Sequence, residues 1–239
     1  MRLYPLALLL CCCFTAGYGQ SSFDFSGAFG TAFRTLDYAG EESVYETFRN
    51  RQEEETPITY WQLAGNYNHQ IAPRLYLRTG MRLAITGHRH DRNDLRWGSE
   101  HDGNGGFIFD PSLPHNFRSR YRNWFAELPV ALRYQGGTRK LTPYVELGLA
   151  PAYYLHTRQR TTDDIGSDPL VERFREPSTR NVHLIGSAAV GVNYTLNRRA
   201  QLFAQPSFRY HLTGLAEGLF PEHPYAGFLE VGCRFVTAR

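Results

Sequence analysis

The feature of the sequence that most limits its fold is a two-residue alternation of apolar and other side chains, which recurs in eight segments. In Leu75–Gly87, for example, Leu77, Met81 and Leu83 are separated by polar or small residues. Successive side chains of a β-strand point to opposite faces of a sheet, so this alternation predicts strands with one apolar face. The predicted strands are Phe23–Leu36, Ile58–His69, Leu75–Gly87, Tyr121–Tyr134, Thr142–Thr157, Asn181–Leu196, Ala200–Thr213 and Tyr225–Thr237.

The links between these segments alternate in length. Short links follow the second, fourth and sixth segments, whereas long polar links cover Asp37–Pro57, His88–Arg120 and Arg158–Arg180. In an up-and-down sheet, all long links then lie at one end and all short ones at the other. This pattern predicts an all-β fold, an eight-stranded antiparallel up-and-down transmembrane β-barrel with long extracellular loops and short periplasmic turns.

Hydropathy is compatible with this fold and excludes a helical membrane protein. Mean hydropathy is -0.44, and after the first twenty residues no apolar run reaches the roughly 20 residues that a membrane-spanning helix needs. Barrel strands alternate, so they look polar on average. The net charge of +3 is too small to indicate a nucleic-acid partner.

The first 19 residues are predicted to be a signal peptide. Arg2 precedes the apolar run Leu3–Phe14, and Gly17 and Gly19 are small residues of the kind that a signal peptidase accepts. Cleavage after Gly19 would leave residues 20–239 as an outer-membrane barrel domain. The alternative is a lipoprotein signal that uses one of the cysteines at positions 11–13.

Charged residues inside the strands fall on the face opposite the apolar one. Small residues such as Gly80 and Gly148 share that face, which suits a narrow lumen filled by side chains. Buried carboxylates require partners, so the three glutamates are expected to pair with some of the five arginines in a structural network; the alternative is a proton or ion path. The predicted network is Glu127, Glu146, Glu230, Arg78, Arg82, Arg133, Arg209 and Arg234.

The stretch "WFAELPVALRY", followed by a short turn and "PYVELGLAPAYYL", resembles the PorT-like outer-membrane β-barrel family of Bacteroidota. The resemblance implies an outer-membrane location and a barrel fold more than an activity. The founding member is linked to protein secretion across the outer membrane. The chain departs from the family at its end, "FVTAR", where many such barrels finish on an aromatic residue. The matching residues are Glu127, Leu128, Pro129, Pro143, Tyr144 and Gly148.

Catalytic and metal-binding chemistry has weak support in the sequence. His156, His183 and His211 are not spaced as a nucleophile and its base would be. The long third link holds His88, His90, Asp91 and further histidine and aspartate residues, but at irregular spacing, so we interpret it as a solvated loop. We therefore predict no catalytic, cofactor-binding or metal site. The aromatic residues expected to form interface girdles are Trp61, Tyr67, Trp124, Tyr134, Tyr153 and Tyr210.

Two local features are also predicted. Cys233 falls on the apolar face and is expected to be an unreactive thiol in lipid. Pro129, Pro151 and Pro206 lie within strands, where proline removes a hydrogen-bond donor, so β-bulges are expected there.

The sequence thus predicts a small, monomeric, non-enzymatic outer-membrane barrel. It would act as a binding, scaffold or accessory protein through its long loops, in contact with outer-membrane lipids and with an extracellular or secretion-machinery protein. Three alternatives stay open: a component of an outer-membrane secretion machinery, a lipid-modifying barrel enzyme, and a soluble ligand-binding barrel.

Overall fold

The computed structural model of the chain describes residues 20–37, 45, 49, 53–93, 95, 106, 110, 112–137, 140–175, 179–215 and 221–237. The predicted signal peptide, residues 1–19, lies outside this part. The strands are β1 (Ser21–Leu36), β2 (Glu55–Ala72), β3 (Leu75–Arg92), β4 (Phe117–Glu127), β5 (Val130–Gln135), β6 (Leu141–Asp163), β7 (Leu170–Phe174), β8 (Val182–Thr195), β9 (Ala200–His211) and β10 (Glu222–Val236). In the described part, no helix is long and apolar enough to cross a membrane.

The strands close into a barrel in which eight strand positions surround the lumen. β4 and β5 both lie between β3 and β6 and together fill one of these positions, as a single strand that is interrupted at Leu128 and Pro129. The sheet closes because β1 pairs with both β2 and β10, and every pairing is antiparallel. In the described part of the chain, β7 pairs with residues 157–161 of β6, beyond the closed ring. The predicted fold class is confirmed.

The two faces of the barrel differ as the alternation predicts. Tyr60, Phe125 and Arg209 are almost inaccessible to solvent and fill the lumen. Outward-facing apolar side chains are exposed although they are large. A continuous exposed apolar belt is the surface that lipid covers in a membrane barrel. Members of the belt include Phe25, Leu63, Met81, Leu132, Leu147, Val190, Leu202, Val231 and Phe235.

Several strands are longer than predicted at the end where the long loops emerge. β3 continues to Arg92 rather than to Gly87, and β6 continues to Asp163 rather than to Thr157. Part of each segment assigned to a long loop is therefore sheet. Beyond the lipid both faces of a strand meet water, so the apolar half of the alternation disappears there while the pairing persists.

The expected β-bulges at the three prolines are absent. Arg82 lies opposite Glu127 and Thr79 opposite Val130, so the register is the same on both sides of Pro129. The adjacent amide of Leu128 still donates to the carbonyl of Pro151 at 3.0 Å. The proline removes one donor without inserting a residue, which is why the ladder has a gap and no shift.

Pro151 and Pro206 lie in regular register opposite Leu184 and Leu229, respectively. Register shifts occur elsewhere, including one between Trp124 and Phe125 on the β4–β6 ladder. The bulge prediction was therefore wrong at all three prolines.

Candidate functional site

The part of the lumen nearer the short turns is filled by an inner charge cluster centred on Arg78. The Arg78 guanidinium contacts Glu146 at 3.0 Å, Glu230 at 2.8 Å and Asp24 at 3.3 Å. Arg133 binds the other oxygen of Glu146 at 2.7 Å. Every member of the cluster is buried. The inner charge cluster comprises Asp24, Arg78, Arg133, Glu146, Glu230 and Arg234.

Neutral polar groups complete this cluster. The Arg133 guanidinium stacks 4.2 Å from the centre of the Tyr144 ring, whose hydroxyl donates to Gln205 at 2.6 Å. Gln205 in turn donates to Glu230 at 2.9 Å, and Arg234 binds Asp24 at 3.2 Å. Three carboxylates balance three guanidiniums, so the cluster is neutral. Buried ions are tolerated only with such compensation.

A central charge cluster lies further along the lumen. Glu127 accepts from Arg209 at 2.5 Å and faces Arg82 at 3.4 Å. Arg209 also donates to the Tyr60 hydroxyl at 2.7 Å, and Tyr60 donates to Gln62 at 2.6 Å. This cluster has two guanidiniums for one carboxylate and therefore a net positive charge.

The structure places all eight predicted network residues in the lumen and divides them between the two clusters. Arg234 pairs with Asp24, an aspartate outside the predicted network. Asp24 could have been found, because it has the same inward parity as Ser22 and Ser26 in β1.

A second group of ion-paired residues outside the predicted network lies at the long-loop end of the filled part of the lumen. Arg34 donates to Glu55 through Nε at 2.8 Å and also pairs with Glu222. These residues lie at the long-loop ends of β1, β2 and β10, where the sequence pattern is weakest.

Above this group the lumen opens into an outer cavity of about 600 Å³ at the long-loop end. Its wall mixes basic, acidic, amide and aromatic side chains, so it can offer both hydrogen-bond donors and acceptors to a ligand. Residues lining it include Arg34, His88, His90, Arg92, Tyr121, Asn123, Thr157, Gln159, Phe174 and Glu222.

Among the residues that the structure describes, none of the three histidines considered for catalysis forms a hydrogen bond with a serine, threonine or cysteine side chain. His183 and His211 pack edge-on against Phe125, with ring centroids 5.4 and 5.1 Å away. His156 lies outside the barrel, stacked on Trp124 at 5.5 Å. These contacts are those of packed aromatic rings.

The residues considered for a metal site are divided. His88 and His90 lie in β3 rather than in a loop: His88 stacks on Tyr121 at 4.9 Å, and His90 contacts Glu54 at 2.7 Å. His101 and Asp102 lie outside the described residues, as does most of that loop. Among the residues that the structure does describe, no cluster of three or more His, Cys, Asp or Glu side chains could hold a metal ion.

Outward aromatic rings border the apolar belt. Tyr67 and Tyr134 lie near the short turns, whereas Trp124, Tyr153 and Tyr210 lie nearer the long loops. Cys233 is exposed on the same outward face. A closed antiparallel barrel with an apolar belt between aromatic residues is the architecture of outer-membrane proteins. The protein is accordingly a small barrel of the outer membrane.

Comparisons with known proteins give structural likenesses only. No protein-family model matches the sequence, and no curated protein matches it. The chain is similar to Neisserial surface protein A, with 11% identity and a TM-score of 0.46 over 90% of this chain and 96% of that one. It is similar to a major outer membrane protein from Thermus thermophilus, with 14% identity and a TM-score of 0.42 over 91% and 99%. It is also similar to Ail from Yersinia pestis, with 12% identity and a TM-score of 0.36 over 91% and 99%.

Proposed function

We propose that this protein is a non-enzymatic binding protein of the outer membrane that engages its partner at the long-loop end. One observation carries the proposal: the lumen is shut by buried charge clusters on one side and opens into a cavity of about 600 Å³ on the other. The barrel is then an anchor, and the cavity with its surrounding loops is the binding surface. Functional residues concentrate on loops held by a rigid scaffold.

The filled lumen argues against a pore for large solutes. An eight-stranded barrel has an interior just wide enough for side chains. Here Arg78, Arg133 and Glu230 occupy it with at most 2% of their surface exposed. A soluble ligand-binding barrel is equally disfavoured, since its apolar face would point inward, whereas Leu63 and Met81 point outward and are exposed.

The cavity can be tested by filling it. Thr157 is buried in the cavity wall, so Thr157→Trp should block the space, whereas Thr59→Trp places the same side chain on the exposed outer face. The barrel is isolated in mild detergent from its native membrane and weighed by native mass spectrometry. We expect a bound species on the wild type and on Thr59→Trp that is lost from Thr157→Trp. Absence of any bound species on the wild type, or its retention by Thr157→Trp, would contradict the proposal.

A second candidate function is a lipid-modifying enzyme, favoured by the His90–Glu54 contact at the cavity rim. A carboxylate can orient a histidine that acts as a general base. The test is acyl release from a labelled phospholipid in vesicles. The binding proposal predicts no release by the wild type; release that His90→Ala and Glu54→Gln both abolish would replace it with the enzyme.

The resemblance to the PorT-like family supports a further proposal, a component of an outer-membrane secretion machinery that acts through the short turns. A deletion strain separates the two roles. Loss of many secreted proteins from the medium, rescued by a protein with the Thr157→Trp change, would favour secretion over cavity binding.

A further inference from the structure

The outer wall of the barrel carries an arginine ladder, defined here as Arg120, Arg122, Arg158, Arg160 and Arg173. Arg122 lies directly opposite Arg158, and Arg120 directly opposite Arg160, on the β4–β6 ladder. Arg158 is in turn opposite Arg173 on the β6–β7 ladder. Five arginines thus occupy adjacent cross-strand positions on three neighbouring strands.

The ladder faces outward and not into the outer cavity. On β4 the inward residues are Asn123 and Phe125, both buried, and Arg120 and Arg122 alternate with them. Arg158, Arg160 and Arg173 are exposed. The cavity lies on the other side of these strands, so the ladder is a separate surface.

None of the ladder guanidiniums has a carboxylate partner among the residues that the structure describes. The nearby Asp91 is already shared between Arg89 at 2.9 Å and Arg118 at 3.1 Å. Arg122 instead experiences the like charges of Arg120, Arg158 and Arg160. In the lumen, by contrast, Arg78, Arg133 and Arg209 each contact a carboxylate.

Such an arrangement weakens the sheet by itself. Directly opposite side chains have Cβ atoms about 4.5–5.5 Å apart, and like charges there are destabilising. If these positions needed only to be soluble, uncharged polar residues would suffice. Thr162, which lies opposite Arg118 on the same pair of strands, is an example. The ladder therefore favours a neutralising anion supplied from outside the chain.

The position of the ladder along the strands, relative to the lipid belt, indicates where that anion lies. The stacked Trp124–His156 pair belongs to the aromatic border of the lipid belt. Arg122–Arg158 is the next outward pair towards the long loops and Arg120–Arg160 the one after, each about 7 Å further along the strand. Lipid headgroups occupy this zone just beyond the hydrocarbon.

The ladder is also confined to one side of the barrel. On the opposite wall, the outward positions of β1 at the same end are Thr31, Phe33 and Thr35. Those of β9 include Phe208 and Tyr210. A general attraction to the membrane would not require this asymmetry, whereas a site for a bound lipid would.

We propose that the arginine ladder binds the phosphate groups of phosphorylated glycolipids in the outer leaflet of the membrane. Guanidinium and phosphate form bidentate charge-assisted hydrogen bonds, and several ladder arginines could share one bisphosphorylated headgroup. The ladder then docks the β4–β6–β7 wall against an ordered lipid. This interaction goes beyond the proposed cavity binding and does not depend on it.

The test compares two double variants with equal loss of charge. Arg122→Gln with Arg158→Gln removes a ladder pair, and Arg198→Gln with Arg199→Gln removes two exposed arginines from the β8–β9 turn at the other end. Each barrel is placed in nanodiscs of a zwitterionic phospholipid. Native mass spectrometry then measures binding of a bisphosphorylated lipid A and of its dephosphorylated form. Heat-modifiable gel migration checks folding; if the ladder pair prevents folding, Arg160→Gln with Arg173→Gln replaces it.

We expect lipid A to bind the wild type and the turn variant, and to bind the ladder variant about tenfold more weakly. The dephosphorylated lipid should bind all three equally weakly. An equal loss in the turn variant, or no preference for the phosphorylated lipid, would overturn the proposal. So would competition by millimolar inorganic phosphate that removes the bound lipid, because a soluble anion would then be the ligand.

Discussion

At the scale of single residues, Glu127 shows how a charge can lie in an apolar strand. Its neighbours Leu128 and Val130 face lipid and are exposed, while Glu127 itself is 2% exposed and lies between two guanidiniums. The parity of the strand predicts its inward direction, but not its partners. Arg82 comes from β3 and Arg209 from β9, and only the closed barrel brings both to one carboxylate.

Replacing this carboxylate should therefore be costly. Glu127→Gln leaves Arg82 and Arg209 buried without a carboxylate in contact, and we expect a loss of about 3–5 kcal/mol in the free energy of unfolding. Urea unfolding in lipid vesicles measures it. Glu172→Gln, the same change at an exposed site in β7, is the control and should have almost no effect. Similar stabilities for the two variants would disprove the role of the central charge cluster.

Gly191 is a second position at which a single added carbon atom is expected to change the stability of the barrel. A Cβ there would lie 2.5 Å from Cζ of Tyr144 and 2.7 Å from Cβ of Gln205. Gly191→Ala should displace Tyr144 from Gln205 and cost about 1–3 kcal/mol in the same unfolding experiment. Gly227→Ala is the matched control, because a Cβ at that lipid-facing position meets no atom within 4 Å. Equal stability of the two alanine variants would show that the side chains around the inner charge cluster are loosely packed.

At the scale of elements, the alternation of side chains predicts the strands and their inward faces, because successive residues face lipid and lumen in turn and must be apolar and polar in turn. The alternation could not predict where the strands end. The last part of β6, "TRQRTTD", is polar on both faces and looks like a loop, yet it pairs with β4 and β7. Nor does it reveal the Arg34–Glu55 contact, since both residues lie at such polar strand ends.

The loops next to these polar strand ends are joined by Asp164. Its carboxylate accepts from the amides of His115 at 3.0 Å and Asn116 at 3.2 Å, and from the Asn116 side chain at 2.7 Å. Partial loss of hydration acts to raise the pKa of Asp164, but these hydrogen bonds outweigh it and the pKa lies below its ordinary value. A carboxyl with a lowered pKa stabilises the folded form above the unfolded pKa and loses this effect as pH falls through the folded one.

The hydrogen bonds from residues 115 and 116 to the Asp164 carboxylate should therefore persist at neutral pH and be lost in acid, below the ordinary aspartate pKa of about 3.9. The amide chemical shifts of residues 115 and 116, followed by NMR during an acid titration, report it. Asp164→Asn should remove the titration, while Asp168→Asn, at an exposed site nearby, should leave it intact. An unchanged titration in Asp164→Asn would assign the effect to another group.

At the scale of the whole molecule, the charge clusters make the barrel a closed body. The inner charge cluster is neutral. Its members come from β1, β3, β5, β6 and β10, so their contacts cross the entire lumen. We expect the protein reconstituted into planar bilayers to show no stable conductance steps, under conditions in which a porin prepared in parallel does. Reproducible ohmic steps would contradict a filled lumen.

If the apolar face of the barrel meets lipid while its charges lie inside, a probe attached to Cys233 should lie in lipid. In residues 20–239 Cys233 is the only cysteine, and it is exposed on the outward face of β10 beside the inward Arg234. A nitroxide attached to Cys233 in lipid vesicles is measured by electron paramagnetic resonance with two relaxing agents. We expect strong relaxation by oxygen, which dissolves in lipid, and weak relaxation by a water-soluble nickel chelate. Strong relaxation by the nickel chelate and weak relaxation by oxygen would place this face in water and show that the apolar face does not meet lipid.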